Sequence, residues 1–477
     1  MHFTCHELER NEDTMKFTST RNDKVSFSAQ QAIAKGLADD GGLFVPTTFP
    51  SVSTDEFLGL DYEKMVGLIL SKYLPDFENL DEMIHSAYKN ALPVSLSVLT
   101  ENLAVLELFH GKSAAFKDVA LQLLPYLLTT SLKKIGEKRQ AIILTATSGD
   151  TGSAAMSGFS NVDQTQVIVF YPEVGISDIQ RLQMTTQVAK NVHAVAVEGN
   201  FDDAQRAVKS IFQDHAFTDQ FAENQIFSSA NSINFGRLLP QIVYYFWTYS
   251  ELVSADKIKS GDLVNFSVPT GNFGDILAGY YAKKMGLPVG KLICATNKNS
   301  VLYDVLTTGT YDRNRDFYIT NSPSMDILVS SNFERLIYHL AGAKVTQATQ
   351  EQLVKEGKYQ LSAEVFEQLQ KDFLTEKCDD DETIEEIKAV STDRNYVMDP
   401  HTAIAYAAAR KADLDGFTVV LATASPYKFA KTVEDAIEQK LPEDKMPDAL
   451  KCLDKKPVTQ LYHVTKDQIR TIIKEIL

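Results

Sequence analysis

The chain has 477 residues, 44% of them hydrophobic and 23% charged, which suits a globular protein of two or three domains with substantial cores. Its 63 acidic against 47 basic residues leave a formal charge of -16, which argues against nucleic acid or an anionic membrane surface as partner. The four cysteines, Cys5, Cys294, Cys378 and Cys452, stand far apart without a C-x-x-C pair, so no metal site and no disulfide framework is expected, and a reducing compartment fits best.

Residues 1 to 14 are polar, carry no apolar period and lack the apolar stretch of a secretory signal, and are read as a disordered extension. No later apolar run approaches the roughly 18 residues of a membrane span, and the protein is read as cytoplasmic. From residue 15 to 97 the pattern runs strand, helix, a turn at Gly41 and Gly42, then helices, as in a separate N-terminal module. From Val98 onward, runs rich in β-branched residues (AIILTAT, VIVFYP, VHAVAVEG, LVNFSVP, LICATN, FTVVLATA) alternate with amphipathic stretches, which predicts crossover helices and mostly parallel sheets. Two α/β parts are expected, 98–235 and 236–477, and the polar segment from Thr346 to Arg394 reads as surface helices placed before the last strand.

Ligands of open α/β sheets collect where strands end and helices begin. Taken in chain order, the first candidate is Lys117 in GKSAAFKDVALQLL, beside an apolar face of Phe116, Val119, Ala120, Leu123 and Leu124. A lysine so placed can lose hydration and offer a neutral amine, although the same pattern fits a side chain that reaches past the face to water. Ser148-Gly149-Asp150-Thr151-Gly152 opens a helix with hydroxyls suited to a carboxylate, and equally suited to capping. Asn231 to Arg237 opens another, with Arg237 as an anion clamp or a surface ion pair. Thr270-Gly271-Asn272-Phe273-Gly274-Asp275 follows a buried strand, and its glycines let backbone N–H groups face a phosphate. It is neither a P-loop nor a dinucleotide fingerprint, since G-K-[ST] and G-x-G-x-x-G are both missing.

Together, ELFHGKSAAFKD, ILTATSGDTGSAA, ANSINFGRLLPQ, VPTGNFGDILAGYYAKKMGLP, PHTAIAY and ATASPYKF resemble the threonine synthases, a family of the tryptophan-synthase-β-like (fold type II) pyridoxal-phosphate enzymes. The likeness runs from about residue 16 to near Ile437 and implies that fold, with mostly parallel sheets in two α/β domains plus the N-terminal module. It implies pyridoxal 5'-phosphate as cofactor, Lys117 as its Schiff-base lysine, and Gly271, Asn272, Phe273, Gly274 and Asp275 as its phosphate loop. Thr423 would meet the pyridine nitrogen, and a neutral hydroxyl there tempers the ring as an electron sink. Ser148, Asp150 and Thr151 would face the substrate, and Ser113, Asn234 and Arg237, with Lys112 as a further charge, would hold its phosphate.

The implied reaction turns O-phosphohomoserine and water into threonine and phosphate, with Lys117 moving protons at Cα and Cβ, phosphate leaving Cγ and water adding at Cβ. The likeness also implies a monomer. Two positions depart from the family pattern: Lys112-Ser113 replaces a Pro-Thr pair, and Ser425-Pro426-Tyr427-Lys428 replaces His-Pro-Ala-Lys. A related enzyme that releases a 2-oxo acid instead of threonine, a phosphate-independent β-replacement enzyme and a binding protein that kept the fold are the rival readings.

Overall fold

The computed structural model describes residues 15–89, 91–199 and 201–477, and the extension read over residues 1 to 14 lies outside them. The N-terminal module is a small antiparallel sheet of β1 (Lys16–Ser19), β2 (Phe27–Ser28) and β3 (Phe44–Pro46), in the order β2-β1-β3. Helix Ala29–Lys35 starts on a Ser28–Gln31 capping box, which satisfies two N-terminal donors, and stops at Gly36. Helices Tyr62–Tyr73 and Leu80–Tyr88 turn Met65, Val66, Ile69, Met83 and Ile84 into a core shared with the long helix Phe235–Ser254. A second tie is polar: Glu334 accepts from Thr20 Oγ1 at 2.6 Å and from Arg21 Nε and Nη2 at 2.9 Å each.

The remaining strands in chain order are β4 (Ser95–Val98), β5 (Leu103–Glu107), β6 (Gln140–Ala146), β7 (Thr165–Pro172), β8 (Val192–Val197) and β9 (Gln225–Ser229). They continue as β10 (Val264–Pro269), β11 (Val289–Thr296), β12 (Thr310–Asp312), β13 (Lys358–Gln360), β14 (Phe373–Lys377), β15 (Phe417–Ala422) and β16 (Tyr462–Val464). A five-stranded sheet, β16-β8-β7-β6-β9, is parallel throughout. A six-stranded sheet, β14-β11-β10-β15-β5-β4, is parallel except for the β4–β5 pair. Both are covered on both faces, which is why their strands read as continuous apolar runs.

All six β-branched runs became strands, and the fold is the expected α/β class with mostly parallel sheets. The polar segment needs correction. Within it β13 pairs with β12, and β14 extends the larger sheet beside β11. FLTEK is half-buried because it forms a sheet edge, so it lacks the apolar density of a central strand. FTVVLATA is likewise not the last strand, since β16 joins β8 with only three residues.

Strand order reverses at two places, between β10 and β15 in the larger sheet and between β6 and β9 in the smaller. Such switch points leave a crevice beyond the carboxyl ends of the strands. The Lys117 segment is stitched to one of them by backbone bonds: Leu108 N–H to Ala422 O at 2.9 Å, Phe116 N–H to Thr423 O at 2.8 Å and Ser425 N–H to Ala114 O at 3.1 Å.

Helix Asp150–Phe159 lies against helix Lys117–Leu121, and a Cβ at Gly158 would stand 2.0 Å from Leu121 O. The obstacle is backbone, so Gly158→Ala is expected to push the two helices apart and cost about 1–3 kcal/mol in denaturant unfolding. An unfolding midpoint equal to that of the unmodified protein would refute the contact as a packing constraint.

Candidate active site

The loops after β6, β9, β10 and β15 converge on one cleft, whose wall includes Lys117, Thr147, Asn231, Gly271 and Thr423. A separate cavity of about 1210 Å³ opens between the N-terminal module and helix Phe333–Glu356. Arg21 and Arg139 on its wall are already paired with Glu334 and Glu137, whereas the cleft holds cations that are not so matched.

Lys117 begins helix Lys117–Leu121 and is 8% exposed. Its Nζ stands 5.6 Å from the centre of the Phe116 ring and 3.7 Å from Asp150 Oδ2, too far for a strong ion pair. Burial therefore dominates: despite the Asp150 charge, desolvation brings the ammonium down to about 8, with Arg237 and Lys428 pushing the same way. The neutral amine is the major form above that pH.

Asp150 shows the opposite balance. Burial pushes its carboxyl up, but Lys428 and Lys117 outweigh that and hold it well below the usual carboxylate range. Gln180 Nε2 donates to its Oδ1 at 2.8 Å. This bond needs the turn at Gly149, which has φ 129°, where a Cβ would lie 2.4 Å from the Gln180 amide carbon. Thr147 Oγ1 closes the turn by accepting N–H bonds from Gly149 and Gly152, each at 2.9 Å.

Across the cleft, helix Gly274–Lys284 starts at Phe273 without a side-chain cap, leaving its first N–H groups available to an anion. Phe273 is left-handed, with φ 63°, and is held there by its ring, which packs edge-on against Phe333 at 5.2 Å. Asp275 in the first turn accepts from the Tyr244 and Tyr245 hydroxyls through Oδ1, while its buried Oδ2 has no partner. Burial lifts this carboxyl to about 7, so near neutrality a large share is uncharged and does not repel a phosphate.

Arg237 is 3% exposed, with Nη1 donating to Ala230 O at 2.8 Å and Nε left unpartnered. No acidic side chain pairs with it among the described residues, and burial brings it down to about 10. A buried guanidinium on a cleft wall with no acidic partner among the described residues makes Arg237 a candidate anion ligand.

Of the residues singled out from the sequence, Lys117, Ser148, Thr151, Arg237, Gly271, Asn272, Phe273, Gly274, Asp275 and Thr423 line this cleft, and Asp150 lies just behind Lys117. Three lie elsewhere. Asn234 is fully buried: its Oδ1 caps helix Phe235–Ser254 and its Nδ2 donates to Ile33 O and Ser229 O. Ser113 is buried behind the wall and offers its carbonyl to Gln183 and Lys428. Lys112 is exposed.

Sequence reasoning gave no role to Lys428, Ser324, Gln241 or His401. Ser324, Gln241 and His401 line the cleft, and Lys428 reaches Asp150 from behind. His401 Nδ1 meets Asp399 Oδ2 at 2.6 Å, and its Nε2 accepts the Ser324 N–H at 3.2 Å, which fixes the Pro323–Met325 turn over the cleft. PHTAIAY carried His401 in plain view, but nothing in its spacing named a partner.

Three family models match the chain: "Threonine synthase N terminus" over residues 16–88, "Pyridoxal-phosphate dependent enzyme" over 96–425 and "Threonine synthase, C-terminal" over 402–474. The likeness thus extends past Ile437. The threonine synthase of Saccharomyces cerevisiae is 36% identical, covering 97% of this chain and 98% of its own length. That of Pseudomonas aeruginosa is 39% identical, covering 88% of this chain and 90% of its own. The crystal structure of a PLP-bound threonine synthase from Brucella melitensis superimposes with a TM-score of 0.88 at 35% identity, over 97% of this chain and 99% of that one.

Proposed function

Because the chain belongs to the threonine synthase family of pyridoxal-phosphate-dependent enzymes, we propose that it converts O-phosphohomoserine and water into L-threonine and inorganic phosphate. The observation that carries the substrate is Arg237, a buried cation on the wall that also presents Lys117, with no carboxylate paired to it among the described residues. A substrate with a phosphate and a carboxylate supplies the missing negative charge.

The family's cofactor is pyridoxal 5'-phosphate, and the cleft residues fit it. The uncapped helix start at Phe273–Gly274 would take its phosphate, with Gly271 and Asn272 completing the loop and Asp275 carrying a reduced charge. The desolvated amine of Lys117 would hold its aldehyde carbon, and the Thr423 hydroxyl would face its ring nitrogen. When bound, this cofactor supplies the electron sink that makes the substrate's α- and β-protons acidic.

The chain's own groups supply the rest. Lys117 takes the proton from Cα and then helps remove one from Cβ as phosphate departs from Cγ; a proton goes back to Cγ, water adds its hydroxyl at Cβ, and Lys117 returns a proton to Cα. Ser148 and Thr151, at the start of helix Asp150–Phe159, orient the substrate carboxylate. Arg237 holds the phosphate before and after the bond breaks.

The proposal includes a monomer in a reducing, cytoplasmic compartment. Cys294, Cys378 and Cys452 are free thiols, and among the described residues no helix is long and apolar enough to cross a membrane. Incubation with O-phosphohomoserine should release threonine and phosphate in equal amounts. Oxo acid and ammonia with little threonine would overturn the synthase reading.

A further inference from the structure

Two lysines share one carboxylate behind the cleft. Lys428 Nζ lies 2.7 Å from Asp150 Oδ1 and donates to Ser113 O at 2.8 Å, while Lys117 Nζ stays 3.7 Å from Asp150 Oδ2. Lys428 sits in the turn Pro426–Phe429 shortly after β15 and is 1% exposed, so its ammonium is shielded from bulk water. With Gln180 also on Oδ1, and only a long 3.4 Å bond from Ser324 Oγ on Oδ2, the carboxylate is anchored chiefly on the side away from Lys117.

We propose that Lys428 is a positioning residue for Lys117: it occupies Asp150 and stands as a second fixed cation, so the Lys117 amine is denied a close ion pair and stays available for reaction. The inference rests on the reading of Lys117 as the reactive amine. A buried lysine and a buried carboxylate left alone would close to contact, and the ammonium would be trapped as a charge. Here the carboxylate is taken already. Asp150 still attracts Lys117 from 3.7 Å, which orients the amine, while repulsion from Lys428 limits how firmly it holds a proton.

Among the described residues, the charged groups that act on this cluster come from four elements, and Asp275 and His401 lie on the same cleft wall as Lys117. Helix Lys117–Leu121 gives Lys117 and Asp118, helix Asp150–Phe159 gives Asp150, helix Phe235–Ser254 gives Arg237, and the Pro426–Phe429 turn gives Lys428. Asp118 is buried, accepts the Ser113 N–H at 2.6 Å and is lifted to about 6 by burial against the pull of that bond and of Lys428 and Lys112. It is therefore mostly charged at neutral pH, with Oδ2 taken by the Ser113 N–H and Oδ1 buried without a hydrogen-bond partner.

The test reads Lys117 directly. The full chain freed of cofactor is labelled with trace acetic anhydride across a pH series, and acetylation of Lys117 is followed by peptide mass spectrometry. Lys428→Met should raise the half-maximal pH by about one unit, a tenfold slower labelling at fixed pH below the midpoint, because Asp150 is then free to pair with Lys117. Lys428→Arg should stay near the unmodified protein. Asp150→Asn, which leaves both cations and removes the attraction, should lower the midpoint.

An unmoved midpoint in Lys428→Met, or a raised one in Asp150→Asn, overturns the proposal. If Lys428→Met does not fold, Asp150→Asn and Lys428→Arg decide it. Loss of packing alone would change yield at every pH without moving the midpoint. Because labelling needs no turnover, failure here is distinct from failure of the threonine synthase reading.

Discussion

Lys117→Ala is expected to eliminate threonine formation and leave the fold intact. Among the described residues, Lys117 is the one lysine that lines the cleft, and its partial ion pair with Asp150 is the weaker of the two that Asp150 makes. Its removal leaves Asp150 paired with Lys428, so no buried charge is orphaned, and stability should change by less than about 1–2 kcal/mol. Proton transfer alone contributes about 10²- to 10⁴-fold to a rate, and loss of the covalent anchor adds to that. Three measurements check this: turnover, retention of the yellow cofactor through gel filtration, and thermal unfolding. Activity within tenfold of the unmodified protein would remove Lys117 from its assigned place.

Arg237→Met is expected to reduce kcat/KM for O-phosphohomoserine while leaving the unliganded protein as stable as before, or more so. The guanidinium is buried, and among the described residues no carboxylate pairs with it, so without a bound anion its desolvation is uncompensated. Loss of one partner from a buried charge pair costs about 2–5 kcal/mol, or roughly 30- to several-thousand-fold in kcat/KM. Lysine should restore little of it, since a point charge cannot reproduce the planar fork. Inorganic phosphate should raise the unfolding midpoint of the unmodified protein more than that of the variant. Unchanged kcat/KM together with a lowered midpoint would make Arg237 structural, and the substrate phosphate would have to be held elsewhere.

The sequence showed more of the fold than of the charge network. Central strands such as VIVFYP and FTVVLATA could be read because a sheet buried on both faces demands unbroken β-branched runs. FLTEK and the three-residue β16 could not, because an edge strand is only half buried and its register comes from the neighbour. Lys117, Gly271 and Thr423 were named by the resemblance to the threonine synthases rather than by residue type or spacing, and all three line the cleft. Asn234 was read as a ligand because a helix start looks the same whether it holds an anion or caps itself; only the bonds to Ile33 O, Ser229 O and Gly236 N–H separate the two. Lys428 was out of reach on sequence alone, since its carbonyl partner Ser113 is 315 residues away and only the folded chain brings them together.

The pairing of β5 with β15 and of β8 with β16 also bears on the chain's birth. Lys117 leaves the ribosome some 300 residues of synthesis before Thr423, whose carbonyl its loop must grip. In that interval β5 has only β4 beside it, and β8 presents an open, apolar flank. Both sheets are thus completed from the far side of the polypeptide, a long-range closure that slows folding. Nascent chains stalled before residue 417 should therefore bind holdase chaperones and resist protease poorly, whereas chains released after residue 476 should not.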